Sequence, residues 1–174
     1  MADSELLKQY RDGVRRLLQS GAKEEVRSTV PEFQSIILEE VFSFAKKEII
    51  GVYNCARVKL LSEEIKAILE KKKVANIDIK VLCIPHAGCP SSCDSLEFFR
   101  KLPANLNFSD SQLTIVVVDQ SITLAIGDCS EAPLLMYPGG SDDFTGQALK
   151  FANELWTFTC NDGSNSISVE GSRL

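Results

Sequence analysis

Between Leu113 and Ile126 two apolar runs flank a single three-residue polar break. Leu113-Thr114-Ile115-Val116-Val117-Val118 and Ile122-Thr123-Leu124-Ala125-Ile126 are the most apolar and most β-branched segments of the chain. Val and Ile fit a pleated surface, and a run without polar alternation leaves no face for solvent. Leu113 to Val118 is therefore predicted to be a central strand buried on both faces. Asp119-Gln120-Ser121 forms a tight polar break, and Ile122 to Ile126 a second strand closed by Gly127. Two such strands make the middle of a sheet, and helices elsewhere must cover it.

The same patterning predicts the covering elements. Leu6, Leu7, Tyr10, Val14, Leu17 and Leu18 recur at spacings of three and four, giving an amphipathic helix over 3–19 that Gly21 ends. That helix is either a core layer or a surface for a second copy of itself. Residues 22–29 read as a short charged helix or a loop. Pro31 sits in the first turn of a helix that runs through Phe33, Ile36, Ile37, Glu40, Val41 and Phe44 to Lys46-Lys47, whose charges suit the negative end of its dipole.

Glu48 to Asn54 is a strand, Ser62 caps a helix through Lys71-Lys72-Lys73, and Ile77 to Ile84 is the next strand. Pro85 to Pro90 is a loop and a short helix runs from Ser92 or Asp94 to Lys101. Leu106-Asn107-Phe108 is a short strand. Pro133 to Pro138 is a strand whose prolines suit an edge or a strand end. Phe144 to Phe158 closes the chain as a helix. Past Asn161 the Ser/Gly/Asn-rich tail is expected to be disordered. The organisation is an N-terminal helical segment (1–29), an α/β domain with a mixed central sheet flanked by helices (30–159), and a tail (160–174).

At 174 residues the chain suits one domain. Its net charge of -5 argues against nucleic acid or an anionic membrane as partner. The longest apolar runs are too short to span a bilayer, and Met1-Ala2-Asp3-Ser4-Glu5 is not the start of a secretory signal. A cytoplasmic protein is expected, and in that compartment the six cysteines read as thiols or metal ligands rather than disulfides.

The element order resembles one half of the phospholipase D-like superfamily. A helix leads into the strand Glu48 to Asn54, a crossover helix leads to the strand ending at Ile84, two hairpin-linked strands follow, and a helix ending in Leu155-Trp156 closes the unit. The resemblance covers about residues 30–159. The family's motif is HxKxxxxD with a Gly-Ser turn soon after. With its acid on Asp119, Gln112 stands where the nucleophilic histidine belongs and Thr114 where the lysine belongs; the turn is Gly127-Asp128, one residue late. A Gln amide neither forms a phospho-histidine nor protonates a leaving group. The one histidine of the chain, His86, lies in another loop. Such a degenerate half is similar to the sensor domains of archaeal sugar-responsive transcription regulators, although residues 1–29 are too short for their winged helix. The resemblance implies a non-catalytic, small-molecule-sensing or regulatory binding module that works as a homodimer. The alternative it leaves open is a phosphodiesterase or nuclease with an altered site, His86 replacing the missing group.

Two constellations carry candidate chemistry. Asp119, Gln112, Thr114, Asn54 and Asp128 are candidates to line a ligand pocket, since such pockets gather at strand ends in α/β sheets. The plainer reading is that Asp119 makes its turn with the carboxylate on nearby amides. Cys83, His86, Cys89 and Cys93 form C-x2-H-x2-C-x3-C, a donor set that suits zinc as a cofactor although the spacing is not a standard one. A redox pair of Cys89 with Cys93 or Cys129 is the other functional reading, and inert thiols the plain one. Lys46-Lys47 and Lys71-Lys72-Lys73 read as solvated helix ends, without the interleaved aromatics of a nucleic-acid site.

Overall fold

The structure is a computed structural model, and it describes residues 4–54, 62–84, 105–108, 114–126, 133–138, 146–148, 150 and 154. The elements are α1 (Ser4–Ser20), β1 (Val26–Ser28), α2 (Pro31–Phe44), β2 (Glu48–Asn54), α3 (Glu63–Val74), β3 (Asp78–Ile84), β4 (Asn105–Phe108), β5 (Thr114–Val118), β6 (Ile122–Ile126) and β7 (Leu134–Pro138). The strands form one seven-stranded mixed sheet in the order β1-β7-β6-β5-β2-β3-β4. β2, β3 and β4 are parallel; every other neighbouring pair is antiparallel.

The apolar strand pair lies where its composition predicts. Ile115, Val116, Val117 and Val118 are all at most 4% exposed, so β5 is covered on both faces. Alternate residues divide between two layers. Val116, Val118, Ile122, Leu124, Leu134 and Met136 meet Ile37, Leu38, Val41 and Phe42 of α2, Ile65 and Leu69 of α3, and Val14 and Leu18 of α1. Ile115 and Val117 face the other way, against Ala148 in the closing helix.

Helix α1 is thus a core layer. Val14 and Leu18 of its apolar stripe are buried within its own chain, Leu7, Tyr10 and Leu17 are half-buried, and Leu6 is exposed. A charged seam completes the contact: Arg11 reaches Glu39 and Glu40 at 2.7 Å, and Arg15 Nε donates to Glu40 at 2.6 Å. Tyr10 stacks on Phe33 with ring centroids 4.2 Å apart.

The segment expected to be a charged helix or loop supplies a strand instead. Val26, Arg27 and Ser28 pair with Met136, Leu135 and Leu134. The residues 22–29 carry a helix-like charge pattern, but β7 presents an open edge, and sheet pairing decides the local structure. In consequence β7 is an interior strand, not an edge. Its proline fits because Pro138 occupies the last strand position. Gln34 locks the new strand to α2 by donating from Nε2 to the Ser28 carbonyl at 2.9 Å.

Helix α2 stops at Phe44, short of its lysines. The cation at its carboxyl end comes from elsewhere: Lys72 Nζ donates to the carbonyls of Ser43 and Ala45. Burial lowers the Lys72 pKa, and Asp119 opposes that shift. The helix expected over 92–101 and the disordered tail lie outside the described residues.

Thr123 interrupts the apolar run of β6. Thr123 is fully buried between Val117 and Tyr137 in register, and its hydroxyl has no hydrogen-bond partner among the described residues. Thr123→Val keeps the branched shape and removes an unpaired donor. It is expected to stabilise the fold by about 1 kcal/mol, read in calorimetry as a midpoint higher by roughly 2–4 °C. A fall in midpoint would mean the hydroxyl is satisfied.

Candidate functional site

Strand direction sorts the candidate residues between two ends of the sheet. At one end β2 finishes at Asn54, in register with Ile84 of β3. Cys83 is level with Tyr53 on one side and Phe108 of β4 on the other. Val52 pairs with Ile115, so the start of β5 at Thr114 falls at this end too. Thr114 pairs with Ile126, and Ile126 with Leu134. The chain therefore leaves three parallel strands and enters β5 at one edge of the sheet. This is the carboxyl end of parallel strands, where open α/β sheets bind ligands.

Asn54, Thr114 and Cys83 are brought to that end. Gln112, Asp128, His86, Cys89 and Cys93 lie outside the described residues. Among the described residues no group of three or more His, Cys, Asp or Glu side chains is placed to hold a metal ion.

Asp119 is not with them. It follows Val118 at the far end of β5, about 17 Å of extended chain from Thr114. Its Oδ2 accepts from the Lys46 amide at 2.7 Å, and its Oδ1 from the amides of Lys47 at 2.7 Å and Glu48 at 2.9 Å. Asp119 N donates in turn to the Glu48 carbonyl at 3.0 Å. Asp119 and Gln120 have φ of 51° and 59°, and Ser121 N closes the turn on the Val118 carbonyl at 3.0 Å. Two successive positive φ values are the mark of a type I′ hairpin turn, and Asp tolerates that conformation. The Asp119 side chain thus welds the β5-β6 hairpin to the α2-β2 corner. The plainer reading of Asp119, a turn with its carboxylate on amides, is what the structure shows, with the amides supplied by Lys46, Lys47 and Glu48 some seventy residues earlier.

The first turn of α3 also belongs to the Asn54 end, since it follows β2. Ser62 Oγ accepts from the Ile65 amide at 3.3 Å. The Glu64 carboxyl is held below its usual range by its own backbone amide and by Ser62. A surface hollow of about 330 Å³ opens here between α1, α2 and α3, with Leu7 and Ile36 in its wall beside Arg11, Glu32, Glu39 and Glu64. No sequence periodicity marks this hollow, because its walls come from three separate helices.

No family model matches the chain, and no curated protein sequence matches it. A solved structure of TrmBL2, described as an archaeal chromatin protein with a novel mode of DNA binding, matches with a TM-score of 0.57 at 12% sequence identity. The likeness covers 88% of this chain and 62% of that one, so this chain spans less than two thirds of its neighbour's length. What the two share is the fold.

That neighbour corrects one expectation. Net charge argued that nucleic acid is an unsuitable partner, yet a chain of this fold is described as binding DNA. Net charge averages over the whole surface, whereas phosphate contacts depend on local fields. The exclusion is withdrawn. Among the described residues no helix is long and apolar enough to cross a membrane.

Proposed function

We propose that this domain is a non-catalytic regulatory binding module of phospholipase D-like half-fold, taking a small polar ligand at the sheet end where β2, β3 and β4 finish. The non-catalytic part of the reading rests on the separation of Asp119 from that end, which also takes away the acid that anchored the phospholipase D-like alignment and leaves that likeness on element order alone. The acid aligned with the family's motif spends both carboxylate oxygens on backbone amides, so it serves the scaffold. The positions aligned with the nucleophile and the phosphate-binding lysine are Gln112 and Thr114. A Gln amide is not a nucleophile, and a Thr hydroxyl becomes one only beside a general base, which neither of these residues is; both orient a ligand by hydrogen bonds. Asn54 and Thr114 stand at the ligand end. The likeness to a chromatin protein, weak as sequence, agrees with a regulatory role.

Thermal-shift titration with inorganic phosphate, AMP, glucose and trehalose tests the site. At least one is expected to raise the midpoint. Asn54→Ala or Thr114→Val is expected to weaken that ligand about tenfold, the equivalent of one lost hydrogen bond at about 1.4 kcal/mol. Asp119→Asn is expected to leave its affinity unchanged. Hydrolysis of bis(4-nitrophenyl) phosphate that disappears in His86→Ala would replace this reading with the enzymatic one, and a panel without any stabilising member would count against the site.

A further inference from the structure

The two lysine runs, far apart in sequence, are joined by the fold. Asp78 N donates to the Lys47 carbonyl at 3.0 Å, and Lys72 Nζ caps the carbonyls of Ser43 and Ala45. The α2-β2 corner and the carboxyl end of α3 are thus one surface, at the amino ends of β2 and β3. It carries Lys46, Lys47, Lys71, Lys72 and Lys73, with Lys46, Lys47 and Lys71 exposed and Lys73 half-buried. Successive helical residues are about 100° apart. With Lys72 turned onto α2, Lys71 and Lys73 flank it on either side.

Glu48, Glu70, Asp78 and Asp119 offset four of the six charges of Lys46, Lys47, Lys71, Lys72, Lys73 and Lys80, which leaves a positive excess of two. Asp119 is enclosed by three amides, Glu48 accepts from the Gln120 amide at 2.7 Å, and Asp78 lies 3.3 Å from Lys80. Glu70, exposed on α3, is the remaining acid of these segments. Lysines concentrated on a chain of net charge -5 create a local field opposite in sign to that of the whole.

We propose that this lysine-bearing end is a phosphate-backbone contact surface for duplex DNA, read without base specificity. Compact ammonium groups on rigid element ends suit a regular line of phosphates. A lipid surface is the poorer fit: Val74 is the one large apolar side chain exposed in these segments, and Phe44 lies beneath Lys46, its ring centroid 5.3 Å from Nζ. The surface sits at the opposite end of the sheet from Asn54 and Thr114, so the proposal does not rest on the ligand site.

Fluorescence anisotropy of labelled duplexes titrated with the full chain tests it. Binding is expected at 50 mM salt, equal for unrelated sequences, with log K falling against log salt at a slope of about -3 to -4 for roughly four neutralised phosphates. Lys46→Glu, Lys47→Glu, Lys71→Glu and Lys73→Glu combined are expected to lower affinity at least tenfold. The milder Lys47→Gln with Lys71→Gln is expected to lower both affinity and slope, and serves if the first variant loses its circular dichroism. Lys8→Glu with Arg16→Glu, exposed on α1, is expected to have the smaller effect. No binding at 50 mM salt, equal loss in the α1 variant, or preference for phosphatidylserine vesicles over duplex would overturn the proposal.

Discussion

Asp119→Ala is expected to destabilise the fold by about 3 kcal/mol, a loss of roughly 6–12 °C in midpoint for a domain of this size. The substitution removes one acceptor group and orphans three backbone donors at 2.7–2.9 Å. Hydrogen bonds to a charged acceptor contribute about 1.5–3 kcal/mol each. Water can replace part of this at the exposed Lys46 and Lys47, so the sum is not reached. Alanine at a φ of 51° adds a further steric cost of about 1 kcal/mol. Asp119→Asn keeps an acceptor oxygen and tolerates the turn, so roughly half the loss is expected. Denaturant unfolding of the two variants measures both. Unchanged stability in both would remove the structural role assigned to this carboxylate.

Glu40→Ala is the second large expectation, about 2 kcal/mol. The Glu40 side chain is 8% exposed and holds Arg11 through one oxygen and Arg15 through the other. Its removal leaves a small cavity and an Arg15 whose remaining acidic neighbour is Asp12 at 3.9 Å. Arg11 keeps Glu39 at 2.7 Å and Arg15 is half exposed, so the loss falls below the range for breaking a fully buried pair. Glu40→Gln retains shape and one acceptor and is expected to fall between wild type and Glu40→Ala in urea midpoint. If all three unfold together, the α1-α2 seam does not depend on this ion pair, and the apolar contacts of Val14 and Leu18 suffice.

Strong periodicity was legible and sheet pairing was not. The β5-β6 hairpin, the polar turn at Asp119, the helix capped by Ser62 and the Pro31 start of α2 follow from local composition, because each is decided within a few residues. Residues 22–29 misled, since a three-residue strand carries too little pattern to outweigh its charges. Its existence depends on the open edge of β7 more than a hundred residues later. Lys72 likewise caps carbonyls at the end of α2 that lie 29 and 27 residues before it, a role that local charge assigned to Lys46 and Lys47. At the candidate site, residue types were readable but their distribution between two ends was not. Asp119 and Gln112 look adjacent in sequence; strand length and direction decide that Asp119 stands apart from Thr114.

The central claim is that ligand recognition belongs to the carboxyl ends of the parallel strands and that the Asp119 corner is scaffold. Amide chemical-shift mapping with whichever of glucose and trehalose stabilises better, uncharged probes that the lysine surface does not attract, tests it most directly. The account predicts perturbations concentrated at Asn54, Ile84, Phe108 and Thr114, with Lys46, Lys47 and Asp119 unmoved. Perturbations centred on Asp119 and its amide partners, with the Asn54 end silent, would contradict it.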